Sequence, residues 1–478
     1  MEREGKLILV LLIGVLMGAI DSTIVLLALT TINGYFKTQL SLSIWVILIY
    51  LLVIAVGTTQ LGRLGDLVTR KKIFTSGLAV FTIGSALCGA SASIYELIGF
   101  RAIQALGAAM IQSNSGAIVA DNFPPQKRGR VFGYTAIGFN SGAMLGIVLG
   151  GVITTFIGWQ YIFYINVPIG IFAFVFAFKN INPGERVENK LDIPGATLLG
   201  ASLTLLAYGG VNITSNGITT LNEIIILAGT VVLIAFVSAE RHISKPLIPF
   251  RIFRVRVLSY SILSAFLQSL GFLSVVFLLI MYLQGIRNLT PFISSLYLLP
   301  GYVVGSILGP LFGRLADRIG SRVPATSGLL VMGIAILIYS TLAVNSPLGI
   351  IIAGSFFTGI GSALFYPANN SAVMANAPQR TYGIASGLLR TFSNMGMVGS
   401  FAVALLATSI SIPKQFALAI FLGTTSTSLP RNLIKPFMDG GHTALYLATA
   451  LFIIPVFLSL IRGKEQRNLQ HQNHAAAK

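Results

Sequence analysis

The sequence predicts an all-α integral membrane protein, and three observations lead to this fold class. Of the 478 residues, 54% are hydrophobic and only 10% are charged, and the mean hydropathy is +0.83. Because soluble domains carry about 25% charged residues, this chain has too few charges to cover a water-exposed surface. Apolar runs of roughly 18 residues or more, long enough to cross a bilayer, recur from end to end. This pattern excludes soluble enzymes and soluble nucleic-acid-binding proteins.

The hydropathy pattern predicts fourteen membrane-spanning helices. The first is expected to be a retained helix rather than a signal peptide, because apolar residues resume after Asp21 and continue to about Ile32. The expected spans are 7–33, 42–62, 73–92, 94–121, 130–156, 160–178, 192–213, 221–241, 257–284, 291–313, 322–344, 347–374, 382–409 and 443–462. An even number of spans places both termini on the same side of the membrane.

The basic residues indicate which side that is. With both termini in the cytoplasm, 25 of the 32 Lys and Arg residues fall in inner segments and 5 in outer ones, while Arg101 and Arg390 lie within spans. Such a bias follows the positive-inside rule, and removing one span would invert the sides downstream and destroy it. The net charge of +18 is therefore explained by membrane topology, and no nucleic-acid partner is expected.

Two related halves are visible in the sequence. Gly62-Arg63-Leu64-Gly65-Asp66 follows the second span, and Gly313-Arg314-Leu315-Ala316-Asp317 follows the tenth. An offset of about 250 residues corresponds to eight spans, so we expect two six-helix bundles with two helices inserted between them, a plan typical of secondary transporters. The expected units are bundle 1–190, inserted helices 191–241, basic linker 242–256, bundle 257–462 with an outer loop at 410–442, and polar tail 463–478.

Six sequence motifs lie in or beside the predicted spans. They are the cytoplasmic loop with Gly62, Asp66, Arg70 and Lys71; its second copy with Gly313, Asp317, Arg318 and Arg322; Arg101-x-x-Gln104-x-x-Gly107 in the fourth span; Gly142, Gly146, Gly150 and Gly151 in the fifth; residues 20–25 in the first; and residues 159–168 in the sixth. These motifs resemble those of the major facilitator superfamily, and in particular its fourteen-helix drug:proton antiporter branch. The resemblance covers nearly the whole chain.

Asp21 and Arg101 are the candidate proton-coupling residues. A charged side chain near the middle of a membrane helix costs about 2.5–3.5 kcal/mol or more and is usually functional. A carboxyl that is held neutral by a local hydrogen bond is the structural alternative for Asp21. The resemblance implies that Arg101 is its electrostatic counterpart, and the alternative is a structural hydrogen bond between Arg101 and Gln104.

The resemblance assigns gating to the two cytoplasmic loops, which would latch that side of the protein shut in the outward-open state. Their structural alternative is a solvated set of topology-determining charges. The spacing of four between Gly142, Gly146 and Gly150 places small residues on one face of the fifth span. Close helix packing explains this spacing as well as a role in antiport does.

Arg390 departs from the branch, which is expected to carry Asn at this position and Arg three residues later, at Ser393. Arg390 either replaces the usual arginine in a lock between the halves or faces the cavity and recognises an anionic group. A cavity between the halves is expected to be mostly apolar, with aromatic faces and one acid, Asp21, which suits hydrophobic and often cationic compounds. Its candidate lining residues are Tyr50, Gln104, Gln112, Asn114, Asn140, Gln268, Phe272, Tyr297, Tyr366, Asn369, Arg390 and Asn394.

Together these features predict a multi-pass plasma-membrane protein, not an enzyme, that exports hydrophobic or amphiphilic, often cationic, small molecules in exchange for protons. It is expected to be monomeric and to use the proton gradient instead of a cofactor or metal. One alternative is an uptake symporter or an exporter of a specific metabolite or lipid. The other is an integral-membrane enzyme, which the scattered acids within the spans disfavour.

Overall fold

The fold of the described residues is all-α, as the sequence predicts. The structure is a computed structural model that describes residues 2–123, 125–182, 191–216, 219–243, 246–248, 253–376, 382–411 and 431–463. Within them, fourteen helices have at least 15 residues. They are α1 Glu2–Phe36, α2 Trp45–Val68, α3 Arg70–Gly89, α4 Ile94–Asn122, α5 Pro125–Phe156, α6 Asn166–Asn180, α7 Ile193–Asn216, α8 Thr220–Glu240, α9 Arg256–Met281, α10 Pro291–Ile319, α11 Arg322–Tyr339, α12 Gly349–Asn376, α13 Tyr382–Ser411 and α14 Arg431–Ile461.

These helices coincide in order with the fourteen predicted spans, although their ends differ. Twelve described segments are long and apolar enough to cross a membrane, and α5 and α13 overlap the fifth and thirteenth predicted spans. The helix α14 begins at Arg431, well before the predicted start of its span. Short helices at Leu40–Ser43 and Tyr161–Tyr164 precede α2 and α6, and α9 continues into a π-helical turn at Tyr282–Ile286.

The start of α4 is fixed by side-chain caps. The Ser93 hydroxyl accepts a hydrogen bond from the Glu96 amide at 3.2 Å, and the Glu96 carboxylate accepts one from the Ala92 amide at 3.0 Å. Such caps satisfy amide groups that have no partner within the helix. Because the first turn is fixed, Arg101 lies about two turns further along the helix, roughly 10 Å from its start.

The helix packing repeats in the same order as the sequence motifs. The helix α1 packs on α5 as α9 packs on α13, α2 packs on α4 as α10 packs on α12, and α3 packs on α4 as α11 packs on α12. The two sets of helices meet through α2 against α13 and α5 against α10. The described chain therefore contains two similarly packed halves, an N-terminal half from α1 to α6 and a C-terminal half from α9 to α14.

Hydrogen bonds join the halves in more than one place, and one of them links the Thr59 hydroxyl of α2 to the Thr391 hydroxyl of α13 at 3.1 Å. We call the end where α2 meets α3 and α10 meets α11 the basic end. At the opposite end, Gln284 hydrogen-bonds the Thr30 hydroxyl and donates to the Leu27 carbonyl at 3.5 Å. The Phe292 amide donates to the Thr155 hydroxyl at 3.1 Å. These contacts hold α1 against the end of α9 and α5 against α10.

The inserted helices α7 and α8 pack on each other, and α7 also lies against α2 and α13. The Gln60 amide group donates to the Asp192 carbonyl at 2.8 Å and accepts from the Asp192 amide at 3.1 Å. The Asp192 carboxylate caps α7 at Gly195 and also accepts from the Leu247 amide at 3.0 Å. The inserted pair and the segment 246–248 are thus hydrogen-bonded to α2 of the N-terminal half, while α7 also packs on α13 of the C-terminal half.

The predicted glycine stripe on α5 faces α1. A Cβ atom built on Gly142 would lie 2.8 Å from the Leu16 carbonyl oxygen, one on Gly146 would lie 2.6 Å from the Ile20 carbonyl oxygen, and one on Gly150 would lie 2.9 Å from the Ile24 carbonyl oxygen. Only glycine permits this approach of the two backbones. Gly151 instead faces Pro291 and Phe292 of the other half.

We expect Gly146→Val to force α1 and α5 apart, because the added atoms meet the Ile20 backbone as well as the Thr23 side chain. Overpacking of this kind costs about 1–3 kcal/mol, and the variant should unfold at a lower temperature than the wild type in detergent. Gly99→Val is the matched control, since a Cβ on Gly99 meets nothing within 4 Å. Equal unfolding temperatures of the two variants would contradict the assigned contact.

Candidate functional site

The two predicted coupling residues form an ion pair inside the N-terminal half. The Arg101 Nη1 lies 2.6 Å from the Asp21 Oδ2, and the side chains are 1% and 0% exposed. The pair joins the middle of α1 to α4. Arg101 also donates from Nε to the Val46 carbonyl at 3.0 Å, which connects the pair to α2.

Polar groups from three further positions complete the shell around the Asp21 carboxylate. The Gln104 Nε2 donates to the Asp21 Oδ1 at 2.8 Å, and the Gln104 Oε1 accepts from Arg101 at 2.6 Å. Asn166, on α6, donates to the same Asp21 oxygen at 3.4 Å. The Ser85 hydroxyl accepts from Gln104 at 2.7 Å. The coupling cluster, defined as Asp21, Ser85, Arg101, Gln104 and Asn166, therefore draws on α1, α3, α4 and α6.

Aromatic rings cover the guanidinium. The Arg101 Cζ lies 4.1 Å from the centroid of the Tyr50 ring and 5.7 Å from that of Phe163. A cation over an aromatic face is attracted by the ring quadrupole, and the attraction is strongest where water is excluded. Arg101 therefore keeps favourable contacts with α2 and α4 even when the Asp21 charge is removed.

In this arrangement Asp21 is the member of the coupling cluster whose charge can change. An arginine stays protonated in proteins, whereas a carboxylate becomes neutral when it takes up a proton. Proton uptake would remove the attraction between α1 and Arg101 while leaving Arg101 held by Val46, Gln104 and Tyr50. The cluster can thus convert a change of protonation into a weaker contact of α1 with α4.

The first cytoplasmic motif forms a second charged cluster at the basic end. Arg70 donates to the Asp66 carboxylate at 3.0 Å and pairs with Asp121 at the end of α4. The Lys71 Nζ lies 5.2 Å from the centroid of the Phe178 ring of α6. These contacts all lie within the N-terminal half. In the second copy, Arg318 and Arg322 are exposed, and the Asp317 side chain lies outside the described residues.

A small, partly open cavity lies beside the coupling cluster. The cavity residues, which we define by this lining, come from α1, α3, α4, α5 and α13, and all but one belong to the N-terminal half. They are Gly14, Val15, Gly18, Ala19, Phe81, Ala108, Ile111, Gln112, Ser115, Phe139 and Arg390. Since α1 runs from the basic end, the lining from Gly14 to Ala19 lies nearer to that end than Asp21 does.

Two of the predicted cavity residues, Gln112 and Arg390, line this cavity. Tyr50 and Gln104 instead surround the ion pair. Asn114 is buried and donates to the Leu61 carbonyl at 3.2 Å, which joins α4 to α2. The Asn140 side chain lies outside the described residues.

The remaining candidates lie in the C-terminal half. Gln268 is buried and accepts a hydrogen bond from Tyr366 at 3.3 Å. Asn369 is buried and contacts Arg462 at 3.5 Å. Phe272 and Tyr297 are partly buried against the hydrophobic core, and Asn394 is partly buried.

Asn166 and Ser85 were not among the predicted site residues. Asn166 belongs to the sixth-span motif, which therefore contained a signal for its position near Asp21. Ser85 lies in an apolar stretch with no motif, and only the packing of α3 on α4 brings it to Gln104. A metal centre has no support in the described residues, where no group of three His, Cys, Asp or Glu side chains could hold an ion.

A sequence model described as the Major Facilitator Superfamily matches residues 11–401. The chain is 32% identical to the riboflavin transporter RibZ of Clostridioides difficile, covering 87% of this chain and 91% of that protein. It is 29% identical to the tetracenomycin C resistance and export protein of Streptomyces glaucescens, over 84% and 75% of the two chains. It is 28% identical to multidrug resistance protein 3 of Bacillus subtilis, over 95% and 93%.

Solved structures share the fold. A bacterial homologue of the human lysosomal transporter Spinster, in an inward-facing and unoccupied conformation, matches with a TM-score of 0.67 and 15% identity over 96% of this chain and 97% of that one. The human organic anion transporter MFSD10 matches with a TM-score of 0.63 and 16% identity, over 95% and 99% of the chains.

We expect Arg101→Gln to destabilise the protein by about 3–5 kcal/mol, because it leaves the buried Asp21 without its charged partner. Adding Asp21→Asn should recover part of that loss, since two amides can hydrogen-bond without a buried charge. A double-mutant cycle on unfolding free energies in detergent measures the coupling. Additive losses in the double variant would show that the pair is not coupled.

Proposed function

The chain belongs to the major facilitator superfamily, and we propose that it exports amphiphilic small molecules across the cell membrane in exchange for protons. It is a multi-pass membrane protein of a transporter family. Two of its relatives are named as resistance or export proteins, which supports the export direction. The positive-inside pattern supports placing the basic end in the cytoplasm.

The buried Asp21–Arg101 ion pair is the observation that supports proton coupling. Its carboxylate is 0% exposed and is held by Arg101, Gln104 and Asn166. In the arrangement described, the Asp21 carboxyl group lies against the Arg101 guanidinium, and we assign this arrangement to the form that has released its proton. A neutral Asp21 would belong to another arrangement of α1.

The helix α1 links proton binding at Asp21 to cargo binding in the cavity. Gly18 and Ala19 line the cavity, and Asp21 follows one turn later in the same helix. Because the carboxylate faces the coupling cluster instead of the cavity, the proton and the cargo act on α1 from different sides. A proton bound at Asp21 loosens α1 from α4, and cargo bound in the cavity alters the same helix.

The inter-half contacts suggest how access alternates. Those at Thr30–Gln284 and Thr155–Phe292 join the halves away from the basic end, while the cavity lies nearer to that end. Rocking of the halves would break these contacts and expose the cavity to the other side. The energy is sufficient, at about 2.3 kcal/mol per charge per 100 mV and about 1.4 kcal/mol per pH unit.

Export of one specific metabolite is the second candidate, and the RibZ relative favours it. That protein is named for riboflavin, an aromatic amphiphile whose apolar ring system matches the largely apolar lining of the cavity. This candidate uses the same coupling cluster. It differs only in how narrowly the cavity selects its cargo.

We expect wild-type protein in proteoliposomes with an imposed pH gradient to accumulate amphiphiles against their gradient. The compounds to be tested are riboflavin, fluorescein and tetramethylrhodamine ethyl ester, with an internal pH-sensitive dye reporting proton movement. Asp21→Asn should still let cargo equilibrate but should lose gradient-driven accumulation, because it has no proton to bind. Accumulation of riboflavin alone would select the narrow candidate.

Glu223→Gln is the matched control, because it neutralises an exposed acid at the start of α8. It should transport like the wild type. Proton-driven accumulation by Asp21→Asn at the wild-type level would overturn the coupling proposal. Failure of the wild type to move any of the three compounds would overturn the assignment of amphiphilic cargo.

A further inference from the structure

Arg390 is a charged side chain in the cavity for which the described part of the chain provides no counter-charge. It is exposed within α13 and lines the cavity. Among the residues that the structure describes, none forms an ion pair or hydrogen bond with its guanidinium. Of the described cavity residues, Arg390 alone is charged.

Asp21, an acid in the same helix as part of the lining, does not neutralise the charge of Arg390. Asp21 belongs to the same half as the rest of the lining, but its carboxylate is fully buried and is already paired with Arg101. The other residues that line the cavity are apolar or neutral and come from α1, α3, α4 and α5. The polar ones are Gln112 and Ser115 of α4.

An unpaired guanidinium in a largely apolar cavity is costly, because the low-dielectric surroundings replace only part of its hydration. The cost is offset when a ligand brings an anionic group to the fork of N–H donors. We propose that the cavity selects cargo with an anionic group, such as a carboxylate, sulfonate or phosphate, and that Arg390 binds it. This inference rests on the proposed transport function and specifies its substrate class.

The proposal replaces the cationic preference expected from the sequence. That expectation assumed that an acid, Asp21, faces the cargo, whereas Asp21 is enclosed with Arg101 and the free charge of the cavity is positive. The apolar lining at Val15, Ile111 and Phe139 then holds the body of the molecule. An amphiphilic anion satisfies both parts of the cavity.

The charge preference can be measured without knowing the cargo or imposing a gradient. Cys88 is the single cysteine of the chain and is buried, so it should react little with labelling reagents. Gln112→Cys then introduces one reactive thiol in the cavity. Its labelling rates with anionic sulfonatoethyl and cationic trimethylammonioethyl methanethiosulfonate are compared. Wild-type protein without the added thiol is the blank.

A positive cavity concentrates anions, so we expect Arg390→Gln to lower the anionic-to-cationic rate ratio by on the order of tenfold or more. Arg390→Lys should keep most of the ratio, because the charge is retained. Arg254→Gln, which removes an exposed arginine before α9, should leave it unchanged. An unchanged ratio in Arg390→Gln would overturn the proposal, and a change only in unfolding temperature would indicate a lock between the halves instead.

Binding of two dyes on one scaffold tests the cargo class itself. We expect purified protein to bind anionic fluorescein more tightly than cationic tetramethylrhodamine ethyl ester, and Arg390→Gln to weaken only fluorescein, by about tenfold. Equal or tighter binding of the cationic dye, or binding of neither, would overturn the proposal. Competition by phosphatidylglycerol but not phosphatidylcholine in nanodiscs would identify a lipid headgroup as the anion instead of a soluble cargo. Since these assays need no proton gradient, their failure is separate from failure of proton coupling.

Discussion

The structure depends on one constraint, which is that a charge placed in hydrocarbon must find a partner. Arg101 satisfies it internally, with Asp21, Gln104, the Val46 carbonyl and the Tyr50 ring. Four contacts from three helices surround one guanidinium, so α1, α2 and α4 are held in a fixed relation. Proton uptake by Asp21 can remove one of these contacts without exposing the arginine.

The helix α1 connects the features of the site. One face carries Asp21, another lies against the glycine stripe of α5, and residues such as Gly18 line the cavity. Its last turns approach Gln284 of the other half. A helix in contact with the Asp21–Arg101 pair, the cavity and the inter-half contacts is suited to relay a change between them, because no further element is needed.

The inserted helices have a structural role that their sequence did not reveal. The reciprocal hydrogen bonds between Gln60 and Asp192 fasten α7 to α2, and Glu240 accepts from the Ile248 amide at 2.8 Å. The Arg63 guanidinium also hydrogen-bonds the Pro246 carbonyl. The segment 246–248 is therefore held beside the first cytoplasmic motif, so that α7, α8 and this part of the linker are attached to the N-terminal half.

The sequence by itself determined the membrane class and the order of the helices, and it singled out Asp21 and Arg101, because hydropathy and charges within spans are local properties with a large free-energy cost. Only the tertiary structure decided which polar groups meet. It placed Tyr50 and Gln104 at the ion pair, brought Asn166 and Ser85 to the same cluster, and placed Arg390 in the cavity with no ionic partner among the described residues. The direction in which a side chain faces depends on helices distant in sequence, so periodicity could not assign it.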